Sequence, residues 1–159
     1  MGSEVNTMKT RVLLAEAILS FIALGIFHNF QQYYAQDEIY IIPESYSGPV
    51  RIYYDNSNGD SKEFMRNKRV YRIAENGISL TRFPFDEGWR SLPDYIIITK
   101  SGKLIDLEKW NKTQTEPNKI VVSNGSSRKK NNGPVYTFFL VGKASQMDSL
   151  HRLDEQNRY

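Results

Sequence analysis

Between residues 38 and 143 the chain never runs far without a turn signal. Tyr40-Ile41-Ile42 stops at Pro43, which has no N–H for a ladder. Ser47-Gly48-Pro49 turns the chain, and Val50–Asp55 runs into Asn56-Ser57-Asn58-Gly59-Asp60, where Asn-Gly is a strong hairpin signal. Further strands are expected over 69–74, 78–83, 95–99, 103–107, 119–123 and 135–141, each bounded by Gly, Pro, Asn or Ser. No helical periodicity separates these runs, so crossover helices of the βαβ type are excluded. The pattern predicts an all-β fold, an antiparallel β-sandwich of about seven to nine short strands, prealbumin- or immunoglobulin-like.

Side-chain alternation assigns the faces. Val50, Ile52 and Tyr54 share one face; Ile78, Leu80 and Arg82 stand opposite Ser79, Thr81 and Phe83. Tyr95–Thr99 and Val135–Val141 are apolar on both faces and are expected to be central strands. Residues 124–134 read as a mobile loop of Asn, Gly, Ser and basic residues. Ten tyrosines suit a pleated, half-buried surface.

The domain so defined spans residues 37–143. Residues 144–159 form a short C-terminal helix or tail, with Met147, Leu150 and Leu153 at helical spacing and Ser145 placed to cap them. Residues 1–36 are a signal peptide or membrane-anchor segment with an apolar helix. Lys9 and Arg11 precede an apolar run from Val12 to Phe27, which is the signal-peptide order. Counted through Glu16, the run reaches Phe30 and would serve as an uncleaved anchor. Either way the C-terminal domain is expected outside the membrane, secreted or anchored. A start at Met8 is as readable as one at Met1.

Several chemistries lack their residues. There is no Cys, hence no disulfide, thiolate nucleophile or lipid-anchoring cysteine. Histidine occurs only at 28 and 151, both outside residues 37–143, which leaves a catalytic triad or histidine metal site without parts. No metal ligands, cofactor or catalytic residues are assigned. The net charge is +3; residues 1–36 carry Lys9 and Arg11 against Glu4 and Glu16, so the remainder is also +3. That mild balance, without a basic stripe, gives no reason to expect nucleic acid.

The candidate binding residues are Phe85 and Trp89, in the loop Phe83-Pro84-Phe85-Asp86-Glu87-Gly88-Trp89, and the basic group Arg128-Lys129-Lys130. Clustered aromatics form either a platform for a partner or a plug for one end of the sandwich, and the plug is favoured. Basic side chains in a loop meet anionic surfaces or simply keep it soluble. Asp86/Glu87 and Asp106/Glu108 are the carboxylate pairs open to a hydrolase, the latter expected on one face of one strand. The Asp55–Asp60 stretch departs from the calcium-loop pattern, since Gly59 stands fifth, and reads as a turn.

Three stretches carry a resemblance. They are Tyr40-Ile41-Ile42-Pro43-Glu44-x-Tyr46-x-Gly48-Pro49-Val50, then Arg69-Val70-Tyr71-Arg72-Ile73-x-Glu75-Asn76-Gly77-Ile78, then Thr81-Arg82-Phe83 through Gly88-Trp89. Together they resemble an uncharacterised bacterial family of small exported or lipid-anchored proteins carrying a domain of unknown function. The resemblance implies a β-rich domain and an envelope location, and assigns no functional residue. The expected function is a non-catalytic extracytoplasmic module binding a protein or surface polymer; the alternative is a carboxylate-dependent hydrolase of the envelope. The expected partners are that protein or polymer, and the membrane where residues 1–36 remain attached.

Overall fold

A computed structural model describes residues 16, 18–22, 35–88, 91–129 and 133–156. The chain divides into two compact units, residues 1–35 with 87–90, and residues 36–86 with 91–159. In the first, Glu16 and residues 18–22 are helical, and Ser20 Oγ donates to the Glu16 carbonyl at 2.9 Å. The rest of the apolar run and the start sites at Met1 and Met8 lie outside the described residues. Among the described residues, no helix is long and apolar enough to cross a membrane.

The second unit is built of eleven strands: β1 (Glu38–Pro43), β2 (Gly48–Tyr53), β3 (Glu63–Met65), β4 (Lys68–Arg72), β5 (Ile78–Leu80), β6 (Asp94–Ile98), β7 (Leu104–Asp106), β8 (Glu108–Lys109), β9 (Ile120–Val122), β10 (Ser126–Lys129) and β11 (Val135–Lys143). A 3₁₀ turn (Ala144–Gln146) leads into α1 (Met147–Gln156). Sheet 1 has the order β3-β4-β1-β6-β7. Sheet 2 has the order β5-β2-β11-β9-β8, with β10 also paired to β11.

The antiparallel expectation is corrected: both sheets are mixed. β1 runs parallel to both its neighbours, β4 and β6. β2 is parallel to β5, and β8 to β9. The cause is the path of the chain, which leaves one sheet for the other after β1, β2, β4, β5 and β7. Two crossings separate β2 from β5 and two separate β4 from β6, and β5 and β6 each return beside an earlier strand pointing the same way. Among the described residues the crossings carry no helix, so nothing in the sequence distinguishes them from hairpin turns.

Asn58-Gly59 shows the consequence. It turns the chain, with Gly59 N–H donating to the Asn56 carbonyl at 2.9 Å, but joins β2 of sheet 2 to β3 of sheet 1. The hairpin that does form there is β3–β4, through Arg66 and Asn67, both with positive φ (51° and 62°). Two left-handed residues match the right-handed strand twist, and a bulky Arg in that position gave no signal.

Tyr95–Thr99 holds β6, an interior strand paired on both sides, while β1 occupies the middle of sheet 1. Two smaller expectations are also corrected. The loop expected over 124–134 contains β10, which pairs with β11 from Ser126↔Phe138 to Lys129↔Val135. Between β9 and β10, Ser123 N–H donates to the Leu140 carbonyl at 2.9 Å, and Ser123 Oγ accepts from Leu140 N–H at 2.9 Å. The hydroxyl thus replaces a missing ladder acceptor and lets two short strands share one edge of β11. Finally, the 3₁₀ turn occupies the place where Ser145 was expected to cap α1.

The main core is shared by the two sheets. Tyr40, Ile42, Tyr71, Ile73 and Tyr95 of sheet 1 and its margin meet Val50, Ile52, Tyr54, Val122, Phe139 and Val141 of sheet 2 and its margin. Ile39, Ile41, Val70 and Ile96 form a second buried cluster on the opposite face of sheet 1. The outer face of sheet 2 offers Val121, Phe138 and Leu140, and α1 covers them with Met147 and Leu150. Leu153, expected on the same stripe, is exposed.

Gly59 is where the crossing passes closest to sheet 2. A Cβ there would lie 2.7 Å from the backbone of Leu80 and Thr81. Gly59→Ala is therefore expected to cost ~1–3 kcal/mol, as overpacking against rigid backbone does. Thermal unfolding should show a lower Tm for G59A, whereas Asn58→Ala, at an exposed position, should change it by less.

Candidate functional site

Of the residues singled out from the sequence, Phe85 is half-buried and packs edge-on against Tyr54, ring centroids 5.2 Å apart. Phe83 is buried beside Tyr71. This part of the loop is a plug for the core. Trp89 and Lys130 lie outside the described residues. Lys129 is exposed at the end of β10. Arg128 is committed to the fold: its Nη1 donates to both oxygens of Asp154 on α1, at 2.9 and 2.8 Å. Its guanidinium also lies 3.5 Å from the centroid of the Phe138 ring. It clamps α1 onto sheet 2.

The carboxylates considered from the sequence fall as follows. Asp106 ends β7 of sheet 1 and Glu108 begins β8 of sheet 2, so the expectation that they share one strand face is corrected. Glu108 accepts from Lys119 Nζ at 2.5 Å. Asp86 accepts from Arg69 Nη2 at 3.3 Å, and Glu87 belongs to the other compact unit. Arg69 is fixed further by the Pro84 carbonyl (3.0 Å) and by the Phe83 ring, 5.1 Å from centroid to guanidinium.

Inside the core lies a polar group that sequence reading passed over. Glu38 is buried at 2% exposure, and its carboxylate accepts from the hydroxyls of Tyr40 and, at 3.2 Å, Tyr71. Tyr54 and Thr137 hydroxyls are 2.7 Å apart. Burial, reinforced by the Glu38 charge, holds the phenols of Tyr40 and Tyr71 well above the ordinary tyrosine range. They remain protonated donors and offer no base. Among the described residues Tyr95 Oη is buried without a hydrogen-bond partner. The Gly125 backbone runs beside it and draws its pKa down, but burial dominates and raises it. The only forewarning in the sequence was parity: Glu38 is on the same strand face as Tyr40.

A cleft of about 420 Å³ opens between the β3 and β5 margins of the two sheets, and another of about 460 Å³ lies along β6 and β7. The walls of the first are the crossing segment Asp60–Glu63, Val70 to Arg72 at β4, and Ser79 with Thr81 at β5. The cleft exists because β3 pairs with β4 only from Glu63↔Val70 to Met65↔Lys68, and the preceding residues leave for Thr81. At the rim Glu63 and Arg72 form a fork of two bonds, 2.9 and 2.7 Å, which lowers the Glu63 pKa. On the floor, Ser79 and Thr81 are each 3% exposed. Thr81 Oγ1 accepts from Phe83 N–H at 3.1 Å. The signal was present in the sequence: Ser79 and Thr81 share the face of Phe83, and that face is the buried one.

Residues 34–149 match the family of unknown function DUF6843. The chain belongs to this family. The match contains the three stretches on which the resemblance rested, and the DUF6843 region takes in all eleven strands. No curated protein matches the chain. Among solved structures the chain is similar to one described as a putative lipoprotein from Bacillus anthracis, at 20% identity and a TM-score of 0.47, covering 68% of this chain and 69% of that one.

The Arg128 clamp is testable. Arg128→Ala leaves the buried Asp154 carboxylate without its main cation and should destabilise the domain by about 2 kcal/mol. Lys129→Ala, one residue along, should shift stability by less than about 0.5 kcal/mol. Chemical denaturation followed through Trp110, which stacks on His151 of α1 at 5.5 Å, reports both.

Proposed function

We propose that this DUF6843 protein is an exported, non-catalytic β-sandwich module of the bacterial envelope, with its folded part outside the membrane, that binds a surface polymer. The order Lys9, Arg11, apolar run and β-rich domain supports export. The observation that carries the non-catalytic reading is how the polar groups are used. Glu38, Asp86 and Glu108 each accept hydrogen bonds from the fold's own tyrosines or cations. A hydrolase needs two carboxylates converging on one bond, and the pairs considered from the sequence are divided between sheets or units.

The absence of cysteine makes the location directly measurable. Ser101→Cys places a single thiol in an exposed turn of the full chain. A membrane-impermeant maleimide should label it in intact bacterial cells. Labelling only after lysis would place the domain in the cytoplasm and end the export reading.

A further inference from the structure

We infer that the part of sheet 2 left uncovered by α1 is the binding face, and that its partner is an anionic polymer of sugar units. The inference rests on the surface-polymer reading above and adds the polymer's charge and the face that meets it.

Charge separates the two sheets. The strands of sheet 1 carry three cations, and each has a carboxylate: Lys68 with Asp94 at 2.9 Å, Arg69 with Asp86 at 3.3 Å, and Arg72 with Glu63 at 2.7 Å. The strands of sheet 2 carry Arg51, Lys109, Arg128, Lys129 and Lys143 against one acid, Glu108. Of these five cations, only Arg128 forms a salt bridge among the described residues. Glu108 is taken by Lys119. A chain whose net charge is only +3 thus gathers its uncompensated strand cations on one sheet, where they attract anions.

Two of them frame an aromatic face. Met147 and Leu150 of α1 lie over Val121, Phe138 and Leu140. Beside that cover, Leu80, Tyr53, Tyr136 and Arg128 are successive partners across β5, β2, β11 and β10. The Tyr53 and Tyr136 rings are 5.3 Å apart and half-buried, and Leu80 is 38% exposed. Arg51 stands one step along the same face of β2, with its guanidinium 5.7 Å from the centroid of the Phe138 ring. Lys129 is exposed at the end of β10. Arg82 is exposed two residues past Leu80, where its Nε donates to the Gly59 carbonyl at 3.0 Å. The acids closest in sequence are engaged elsewhere: Asp55 accepts from Phe85 N–H at 3.4 Å, and Asp60 acts on Arg72.

Solubility alone accounts for exposed cations, but not for a tyrosine pair left half-open in the row between them. Tyr and Arg are the side chains that most often carry binding energy, and a tyrosine ring offers a sugar an apolar surface with a hydroxyl at its edge. From β5 to β10 is three strand spacings, about 14 Å. A small anion meets one of these cations, whereas an extended polymer meets several at once and adds their weak contacts together.

The test is amide NMR of the full chain in detergent, titrated with dextran sulfate and with uncharged dextran. Dextran sulfate should shift the amides of Arg51, Tyr53, Leu80, Lys129 and Tyr136, added salt should weaken its binding, and dextran should bind far more weakly. Arg51→Gln should weaken binding of dextran sulfate about fivefold with the Tm unchanged. Lys129→Ala, at an exposed position, should weaken it too and serves should R51Q fail to fold. Lys103→Ala, an exposed lysine beside β7, should leave it unchanged. Shifts centred on another face overturn the proposal, as does equal binding of dextran, or an equal loss in K103A. Ser101→Cys labelled in intact cells together with no shift by dextran sulfate would leave export standing and the binding face lost.

Discussion

The Tyr40 ring is where the two sheets meet. It lies 5.5 Å from Tyr71 and 5.3 Å from Tyr95, its neighbours in sheet 1, and 5.1 Å from Phe139 across the core. Its hydroxyl donates to Glu38 on the same strand. Aromatic pairs at these distances contribute beyond the area they bury, and the buried carboxylate is tolerable because phenols surround it. Register follows from the same contacts. Tyr40, Tyr71 and Tyr95 are Cα partners across three parallel strands. A slip of one residue would send all three rings to the other face and strand Glu38 without donors.

The residues that mark the family have a structural account. Tyr46 lies in the crossing from β1 to β2, and its hydroxyl donates to the Pro49 carbonyl. It packs over Gly48 and Gly77, both at positive φ (138° and 78°). A Cβ on Gly77 would fall 1.9 Å from the Tyr46 oxygen. Glu44 closes the same corner by accepting from Lys100 N–H at 3.2 Å. Pro43, Glu44, Tyr46, Gly48, Pro49 and Gly77 therefore form one device, a corner that carries the chain from one sheet to the other.

The polar side chains divide into those the fold consumes and those it leaves. Arg69, Arg128 and Glu38 are consumed, as are Asp86 and Asp154. The cleft where β3 departs from β4 is lined by Asp60, Lys62, Glu63, Arg72, Ser79 and Thr81. Departure of an edge strand is also how a sheet avoids presenting a long free edge, so one backbone choice both ends the pairing and opens the cleft.

The β character, the alternating faces of β2 and β5, the existence of a C-terminal helix and the family were all legible in the order of residues. Each depends on neighbours in sequence: period-two alternation, turn chemistry, a run of matched words. The parallel pairing, the division of Asp106 from Glu108 and the central place of β1 were not. They depend on which sheet the chain enters after each turn, and Gly, Pro and Asn serve a hairpin and a crossing equally well. The same holds for the site. Ser79 and Thr81 could be put on one face of a strand from the sequence. Only tertiary packing decided that this face is buried, that the margin beside it stays open, and that Arg128 would be spent on Asp154.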